Sequence, residues 1–342
     1  MSAELYSGEK QVFKPERSDK LHWTEEKEQV TSDKPVKLLI DLINHLPSPV
    51  VNSLVFPVGF FYLLCSPRAR KETRLYQQQM IAYTHGTAIK KPDSLRQIIS
   101  FSLCILEKIE GWSGKIDLDS ICFQNDDIGA LRHQLEQGKG AYLICSHLGN
   151  VEMLRSLASF NRTGVTHHVP VVAVMDIKAT QNFTNALSER MPGSSFNLVD
   201  ASSIGPDTIE ILSDCIDKGG LVVVAADRTS ATARDRTISR DFLGKNALFP
   251  YGTFLLAALL KVPTYYVFAL RQKDMMLYPE YNMYVNKADI SFDCPRSERE
   301  KRIHELCGGF VARLEEYCIK YPYQWYNFYN FWAEPEKVPE IQ

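Results

Sequence analysis

Residues 141–152 read AYLICSHLGNVE, and this stretch decides how the chain is organised. Its first six residues, 141–146, are mostly apolar, which is typical of a buried strand. His147 follows that strand directly, and Glu152 comes five residues later. A neutral imidazole accepts a proton at one ring nitrogen when an acidic group holds the hydrogen on the other. The spacing predicts a general base, His147, oriented by Glu152, although a pair at this distance also arises by chance.

The residues around this stretch alternate between predicted strands and helices. Strands are predicted over 141–146, 170–175, 196–199, 221–226, 264–270 and 277–285, and helices over 127–138, 179–190, 206–218 and 252–260. This alternation predicts an α/β domain with a largely parallel mixed sheet flanked by helices. His147 and Asp227 each follow a strand. Because ligands bind beyond the carboxyl ends of parallel strands, we expect both residues at one edge of the sheet.

Three regions are predicted along the chain. A polar segment covers 1–33, a helical region that associates with a membrane covers 34–113, and the α/β domain covers 114–342. The apolar run 46–65 has no formal charge and is followed by four cations, Arg68, Arg70, Lys71 and Arg74. Prolines within the run weaken it as a straight spanning helix. The pattern fits either an element in the membrane interface or a pair of buried helices.

Composition narrows the function classes. The chain has 342 residues, a net charge of −2 and a sequence pI of about 6.5, so no basic field indicates a nucleic-acid partner. Its eight cysteines include no CxxC pair, which favours a reducing compartment and disfavours a zinc site. Cys145 is expected to point into the core. The N-terminus lacks the apolar core of a secretory signal.

Three later segments carry further expectations. Residues 228–245 are rich in arginine and predict a long polar loop beside the site. Ser297 and Glu300 predict a capping box for a C-terminal helix that buries Ile303, Leu306, Phe310 and Leu314. The aromatic tail YPYQWYNFYNFW, residues 321–332, is expected to fill the core or to lie at a membrane interface.

Four blocks in order resemble the lysophospholipid acyltransferase superfamily: HLGNVE at 147–152, VVVAADR at 222–228, FLGKNALFPYG at 242–252 and the tail. The chain looks closest to the bacterial lipid A late acyltransferase branch, and within it to the acyltransferases encoded with aryl polyene pigment genes. The resemblance runs from about His22 to Trp332. It implies an acyltransferase fold with added N-terminal helices, and an enzyme at the cytoplasmic face of the inner membrane.

The resemblance also implies a reaction and site residues. A fatty acyl group would pass from an acyl carrier protein thioester, or from a CoA thioester, to a hydroxyl of a lipid acceptor, without metal or cofactor. His147 matches the family's base and Glu152 its acidic partner. Substrate contacts are implied at Gly149, Asn150, Asp227, Arg228, Phe242, Gly244, Phe249 and Pro250. The chain lacks the Glu-Gly-Thr motif of the glycerol-phosphate acyltransferases, which argues against their acceptors.

The residues leave alternatives open. Backbone N–H groups near Gly149 and Asn150, and the Arg228 guanidinium, are expected to stabilise the oxyanion of the acyl-transfer reaction. A covalent route through Cys145 or Ser146 is the lesser alternative. The same His–Glu pair would also serve a thioesterase or other hydrolase, and a non-catalytic membrane scaffold could keep the fold. Asp227 and Arg228 could instead form a structural ion pair.

Overall fold

The computed structural model describes residues 34–112, 121–125, 127–150, 153, 165–175, 197–228, 236–278 and 280–332. The helices are α1 Lys34–His45, α2 Ser48–Cys65, α3 Pro67–Thr84, α4 Ser94–Trp112, α5 Asp127–Glu136, α6 Pro206–Asp217, α7 Tyr251–Leu260 and α8 Arg296–Lys320. The strands are β1 Ile121–Phe123, β2 Ala141–Cys145, β3 Val171–Met175, β4 Asn197–Asp200, β5 Leu221–Ala225, β6 Thr237–Phe242, β7 Lys245–Pro250, β8 Thr264–Arg271 and β9 Tyr281–Lys287. The helix predicted over 179–190 lies outside the described residues.

Seven strands form one mixed sheet in the order β1-β9-β8-β2-β5-β3-β4. Neighbours from β8 to β4 are parallel, whereas β9 is antiparallel to β8 and carries β1 parallel to itself. The predicted α/β fold with a largely parallel mixed sheet is therefore confirmed. The register places Cys145 of β2 opposite Ala225 of β5, so the residues that follow these two strands leave the sheet side by side.

The central strand β2 is buried on both faces. All five of its residues are buried, as expected of a continuous apolar strand in a parallel sheet covered on both sides. Tyr142 and Ile144 pack in one cluster with Phe310 of α8, while Leu143 and Cys145 pack in a second cluster. Cys145 therefore points into the core, as the sequence predicted. This packing fixes the end of β2, where the candidate site begins.

Residues 237–250 form an antiparallel hairpin, β6 and β7, and the predicted polar loop is wrong there. A two-residue turn joins the strands, and both of its residues, Leu243 and Gly244, have positive φ angles of 50° and 74°. Such a turn matches the twist of paired strands. Ile238 and Phe242 are buried. The polar residues between them hid the strand in the sequence. Residues 229–235 lie outside the described part of the chain.

The long C-terminal helix α8 begins at Arg296, so Ser297 lies inside its first turn and the predicted capping box is wrong. Pro295 is the N-cap residue, and its side chain makes no capping hydrogen bond. A proline holds the extended chain before the helix and needs no N–H partner there. The predicted buried face is confirmed, because the four residues Ile303, Leu306, Phe310 and Leu314 are fully buried.

The apolar run of the N-terminal region forms one helix, α2, and not the alternative pair of buried helices. Val51 and Val55 face inward, with Ile99 of α4 in the same core cluster. Val58 and Phe61 are 64% and 68% exposed. None of the described helices is by itself both long and apolar enough to cross a bilayer. Residues Pro49–Cys65 and Pro67–Thr84 meet that test only together, as a pair bent by 96°.

Helix α4 joins the N-terminal helices to the sheet. Ile98, Ile99 and Leu103 on this helix are buried. Gln97 Nε2 donates to the Trp325 carbonyl oxygen over 2.7 Å, and Glu107 forms an ion pair with Arg271 of β8 over 2.9 Å. The division at residue 113 stays a prediction. These contacts show that α4 packs directly on the strands and on the aromatic tail.

Candidate active site

His147 and Asp227 meet at the carboxyl ends of β2 and β5. His147 Nδ1 lies 2.8 Å from Asp227 Oδ1, and the His147 backbone N–H donates to Asp227 Oδ2 over 2.9 Å. Each residue comes two positions after the paired Cys145 and Ala225. The sheet register therefore brings them together, and the prediction that they converge on one edge is confirmed.

The Asp227 carboxylate is held by donors on both oxygens. Oδ1 accepts from the His147 ring, while Oδ2 accepts from the His147 backbone and from Trp325 Nε1, the latter over 3.0 Å. Its side chain is 1% exposed. The sequence assigned Asp227 to substrate contact. In the structure its carboxylate lies behind the imidazole and contacts the protein, so its evident role is to orient His147.

The His147 ring has one partnered and one accessible side. Its side chain is 35% exposed, and none of the described residues makes a hydrogen bond to Nε2. Desolvation by the protein around the ring lowers the pKa of His147, and the positive charge of Arg228 lowers it further. The Asp227 carboxylate opposes both effects. The net shift favours a neutral imidazole at neutral pH, with the hydrogen on Nδ1 and the lone pair on Nε2.

The Asp227 carboxyl remains ionised although it is buried. Burial alone would raise the pKa of Asp227, but three effects outweigh it: the charge of the imidazole when it is protonated, the hydrogen bonds from His147, and the nearby Arg228 guanidinium. The net pKa of Asp227 lies below the ordinary value. A permanent negative charge behind Nδ1 stabilises the imidazolium that forms when Nε2 takes a proton. His147 and Asp227 thus form a competent base and its orienting acid.

The backbone amides expected to form an oxyanion hole are already in use. Gly149 N–H donates to the Gln324 carbonyl oxygen over 2.9 Å, and Asn150 N–H donates to the Ala269 carbonyl oxygen over 2.7 Å. Leu148 N–H donates to Ser146 Oγ over 3.2 Å. The expectation is therefore wrong for the Gly149 and Asn150 amides, which bind the tail and β8. Residues 151 and 152 lie outside the described part of the chain.

Gly149 is explained by packing. Its φ is +74°, and a Cβ atom there would lie 2.1 Å from the Ala269 carbonyl oxygen. Only glycine allows this close approach of the His147 segment to β8. Gly149 thus allows the segment after His147 to pack closely against β8. It has no side chain, and its N–H is already bonded, so it offers a substrate no hydrogen-bond donor.

Arg228 is the remaining predicted donor near the imidazole. Its Nη2 donates to the Tyr326 carbonyl oxygen over 3.0 Å, and its guanidinium carbon lies 5.9 Å from the centre of the Tyr329 ring. The side chain is partly exposed. Its positive charge helps to lower the pKa of the neighbouring Asp227 carboxyl, so the alternative of a structural Asp–Arg ion pair stays open.

The other predicted substrate residues differ in accessibility. Asn150 is fully buried, and its Nδ2 donates to the Tyr281 hydroxyl over 3.2 Å. Phe242 and Phe249 are fully buried and contact each other edge to face, with ring centres 6.3 Å apart. Pro250 is buried, whereas Gly244 is exposed in the hairpin turn. Of these five, only Gly244 lies at a surface that a ligand can reach without rearrangement.

Glu152, the predicted partner of His147, lies outside the described residues. Its role therefore stays a prediction, and the described acidic partner at Nδ1 is Asp227. Sequence reasoning missed this role because the His-to-Glu spacing offered a nearer carboxylate. The sequence did contain a signal for the role of Asp227, because His147 and Asp227 are two polar residues at equal distances beyond adjacent parallel strands.

The aromatic tail contributes to the site, which the sequence did not predict. An antiparallel bridge pairs Leu148 with Trp325, and Tyr326 N–H donates to the His147 carbonyl oxygen over 3.0 Å. The Trp325 indole reaches Asp227 from the same segment. The tail therefore holds both the backbone of the histidine and the carboxylate behind it. Its composition suggested only core packing or a membrane interface.

A buried ionic cluster lies beneath the histidine segment. Arg271 Nη1 and Glu107 Oε1 are 2.9 Å apart, and the Tyr281 hydroxyl donates to Glu107. Burial raises the pKa of Glu107 to about 7, against the opposing effects of Arg271 and Tyr281. Tyr281 also accepts the hydrogen bond from Asn150, so this cluster supports the segment that follows the histidine.

Within the described part of the chain, no three His, Cys, Asp or Glu residues are grouped so that they could hold a metal ion. None of the eight cysteines, all of which lie among the described residues, forms a disulfide bond. Comparison of the chain with protein-family models and with curated proteins gave no match.

Proposed function

We propose that the chain is an O-acyltransferase of the lysophospholipid acyltransferase type, which moves a fatty acyl group from a thioester to a hydroxyl of a lipid acceptor. The observation that carries this proposal is the His147–Asp227 pair, with Nδ1 held and the Nε2 side of the ring accessible. The resemblance of the blocks around His147, Asp227, Phe242 and the tail gives the reaction class.

The reaction needs one base and no acyl-enzyme intermediate. Nε2 of His147 takes the proton of the acceptor hydroxyl as its oxygen attacks the thioester carbonyl carbon, and Asp227 stabilises the resulting imidazolium. The tetrahedral intermediate then collapses, the carbon–sulfur bond breaks, and the imidazolium returns the proton to the leaving thiolate. The products are an ester and a free thiol. Buried Cys145 and Ser146 are not needed as nucleophiles.

Arg228 is the proposed donor to the developing oxyanion. After desolvation, its charge is the second cause of the lowered pKa of His147, which supports a position of the guanidinium near the reacting atoms. A preformed cation at that position stabilises a transition-state charge without reorganisation. Glu152 remains a proposed second acid of the site. The proposed acyl donor is a thioester of acyl carrier protein or of CoA.

The proposed place of action is the cytoplasmic face of the inner membrane. Helix α2 exposes an apolar stripe formed by Leu54, Val58 and Phe61, at positions i, i+4 and i+7. The next helix, α3, carries the cations Arg68, Arg70, Lys71 and Arg74 in its first half. Arg70 Nη1 donates to the Leu64 carbonyl oxygen over 2.7 Å, so it ties the cationic helix to the end of α2. An apolar stripe beside cations suits a surface that carries anionic lipid headgroups.

The proposal is tested with the full-length purified protein and a radiolabelled fatty acyl thioester of acyl carrier protein, with the CoA thioester in a parallel arm. The acceptor probe is total lipid from cells that lack the gene. We expect label in an ester-linked lipid, and a loss of several orders of magnitude in His147→Ala. His133→Ala, on the exposed face of α5, is the matched control and keeps the wild-type rate.

The same experiment separates the competing functions. Release of free fatty acid at one rate with and without lipid acceptor would identify a thioesterase that uses the same pair. Wild-type cellular lipid in a strain that carries only His147→Ala would identify a non-catalytic scaffold. Either outcome would overturn the acyltransferase proposal.

A further inference from the structure

The indole of Trp325 is the part of the site that neither the sequence nor the proposed reaction accounts for. The residue is 1% exposed, and its Nε1–H donates to Asp227 Oδ2 over 3.0 Å. Its ring contacts the rings of Tyr76 and Phe331, with centres 5.0 Å and 4.9 Å away. Packing explains an aromatic ring at this position. It does not explain why the nitrogen points at the carboxylate.

The backbone on both sides of Trp325 is fixed. The Gln324 carbonyl oxygen accepts from Gly149 N–H, and Tyr326 N–H donates to the His147 carbonyl oxygen. The Gln324 side chain bonds the backbone of Arg271 in both directions, with Oε1 2.8 Å from the amide nitrogen and Nε2 2.7 Å from the carbonyl oxygen. The indole is therefore presented from a rigid segment that is continuous with β2 and β8.

The carboxylate has two donors on one oxygen and one on the other. Trp325 and the His147 backbone N–H occupy Oδ2, which leaves Oδ1 for the His147 ring. Rotation of the carboxylate about its Cβ–Cγ bond would break two hydrogen bonds to Oδ2. Oδ1 is thus kept in line with Nδ1, and the imidazole is kept in the tautomer that has its lone pair on Nε2.

We propose that Trp325 is a positioning residue for the His147–Asp227 pair, and that its indole N–H fixes the carboxylate that orients the base. This inference rests on the proposed function for its effect on rate, but its structural part can be measured without any activity. Trp325 does not touch the reacting atoms. It acts through Asp227.

Removal of the indole N–H has two expected consequences. The rate constant kcat falls about 10- to 100-fold while KM changes little, because a hydrogen bond to a charged group is lost and the carboxylate turns more freely. The pKa of His147 rises, because a carboxylate with one donor fewer holds the imidazolium more strongly. A side chain that only fills space would change stability without moving this pKa.

The experiment compares three proteins with the wild type. Trp325→Phe removes the N–H and part of the ring. Site-specific replacement of Trp325 by benzothienylalanine exchanges the N–H for sulfur and keeps the shape, so it remains informative if the phenylalanine variant does not fold. Trp332→Phe is the matched control, since its indole Nε1 donates to the Phe242 carbonyl oxygen over 3.1 Å in the same aromatic cluster.

The readouts are the NMR titration of the His147 ring, assigned by its absence in His147→Gln, and the pH profile of kcat. We expect both Trp325 replacements to raise the His147 pKa and to move the acidic limb of the profile to higher pH, and Trp332→Phe to do neither. A wild-type titration in the folded benzothienylalanine protein would overturn the inference. If the pKa of His147 rises in both Trp325 replacements but no protein transfers an acyl group, the positioning role of Trp325 is supported and the proposed function is wrong.

Discussion

His147 and Asp227 are 80 residues apart in the chain, yet Nδ1 of one lies 2.8 Å from Oδ1 of the other. The pairing of Cys145 with Ala225 sets this distance, because the two residues occupy equal positions beyond neighbouring parallel strands. A shift of one residue in that register would separate them by a strand rise of about 3.3 Å. The buried ladder of β2 and β5 is therefore what assembles the base and its acid.

Asp227→Asn should nearly abolish catalysis while the protein stays folded. Oδ2 accepts from two donors and Oδ1 from one, so an asparagine is expected to place its amide oxygen at Oδ2 and its NH₂ group at Nδ1. The hydrogen of the imidazole then moves to Nε2, which can no longer take a proton. An amide in place of a triad aspartate costs about 10⁴ in kcat.

The check on Asp227→Asn is steady-state kinetics with a folding control by circular dichroism. Asp241→Asn is the matched variant, because Asp241 is exposed on β6. It should retain the wild-type kcat. A variant at Asp227 that keeps more than a tenth of the wild-type kcat would mean that another acid orients His147, and Glu152 would be the first residue to replace.

The acidic limb of the pH–rate profile should lie below pH 6.5. Only neutral His147 can accept the proton, and desolvation together with Arg228 lowers its pKa from the ordinary value of about 6.5. The neutral form therefore persists to lower pH than in a free histidine. The profile of kcat/KM reports this ionisation in the free enzyme. A limb above pH 6.5 would contradict the described surroundings of the ring.

The same lowered pKa has a consequence for stability. The unfolded chain binds a proton at His147 as the pH falls below about 6.5, while the folded chain does not until the lower value is reached. The stability contributed by the neutral folded form is present above pH 6.5 and is lost as the pH falls through that interval. The free energy of unfolding of the wild type, measured relative to His147→Gln, should decrease there.

Much of this arrangement could be predicted from the sequence. The run AYLICS and the later apolar runs predict the parallel strands. The positions of His147 and Asp227 directly after two of these strands predict that they are neighbours. The role of Asp227 could not be read, because hydrogen-bond partners depend on side-chain directions that a strand pattern does not contain. The Trp325 contact joins segments 98 residues apart. Nothing in the local sequence marks one tryptophan of an aromatic tail as a donor.

The hairpin of β6 and β7 was hidden for a different reason. Its polar and arginine residues alternate with Ile238 and Phe242, but the turn lacks the usual Asn-Gly or Asp-Gly signal. Leu243 adopts a positive φ because its side chain is fully buried and its N–H donates to Glu315 Oε2 over 2.5 Å. Tertiary contacts therefore override the local preference of a leucine.

The buried Glu107 should make the protein less stable as the pH rises from about 4.5 to about 7. Burial raises its folded pKa to about 7, above the ordinary value of 4.5. In that interval the unfolded chain has lost the proton and the folded chain retains it, so the contribution present below pH 4.5 is lost as the pH rises through 7. The expected decrease is on the order of a few kcal/mol.

Glu107→Gln removes this ionisation without changing the shape of the side chain. Urea unfolding across pH 4 to 8 should show the wild type losing stability relative to Glu107→Gln, whereas Glu305→Gln, on the exposed face of α8, should follow the wild type. The opposite slope, with the wild type gaining stability as the pH rises from acid, would mean that the ion pair with Arg271 outweighs the cost of burial.

The last prediction concerns the exposed stripe of α2. The double variant Val58→Ser, Phe61→Ser removes side chains that are 64% and 68% exposed, so the fold should be kept. Binding to vesicles of phosphatidylglycerol and phosphatidylethanolamine should fall by more than tenfold, because each apolar side chain that is buried in the membrane contributes about 1.5–3 kcal/mol. Vesicle sedimentation measures this. The control is Ile211→Ser, Leu259→Ser, which removes two exposed apolar side chains from α6 and α7 and should bind as the wild type does. Equal losses in both double variants, or none in the first, would remove α2 as the membrane-binding element and leave the proposed acyl transfer at His147 to be judged separately.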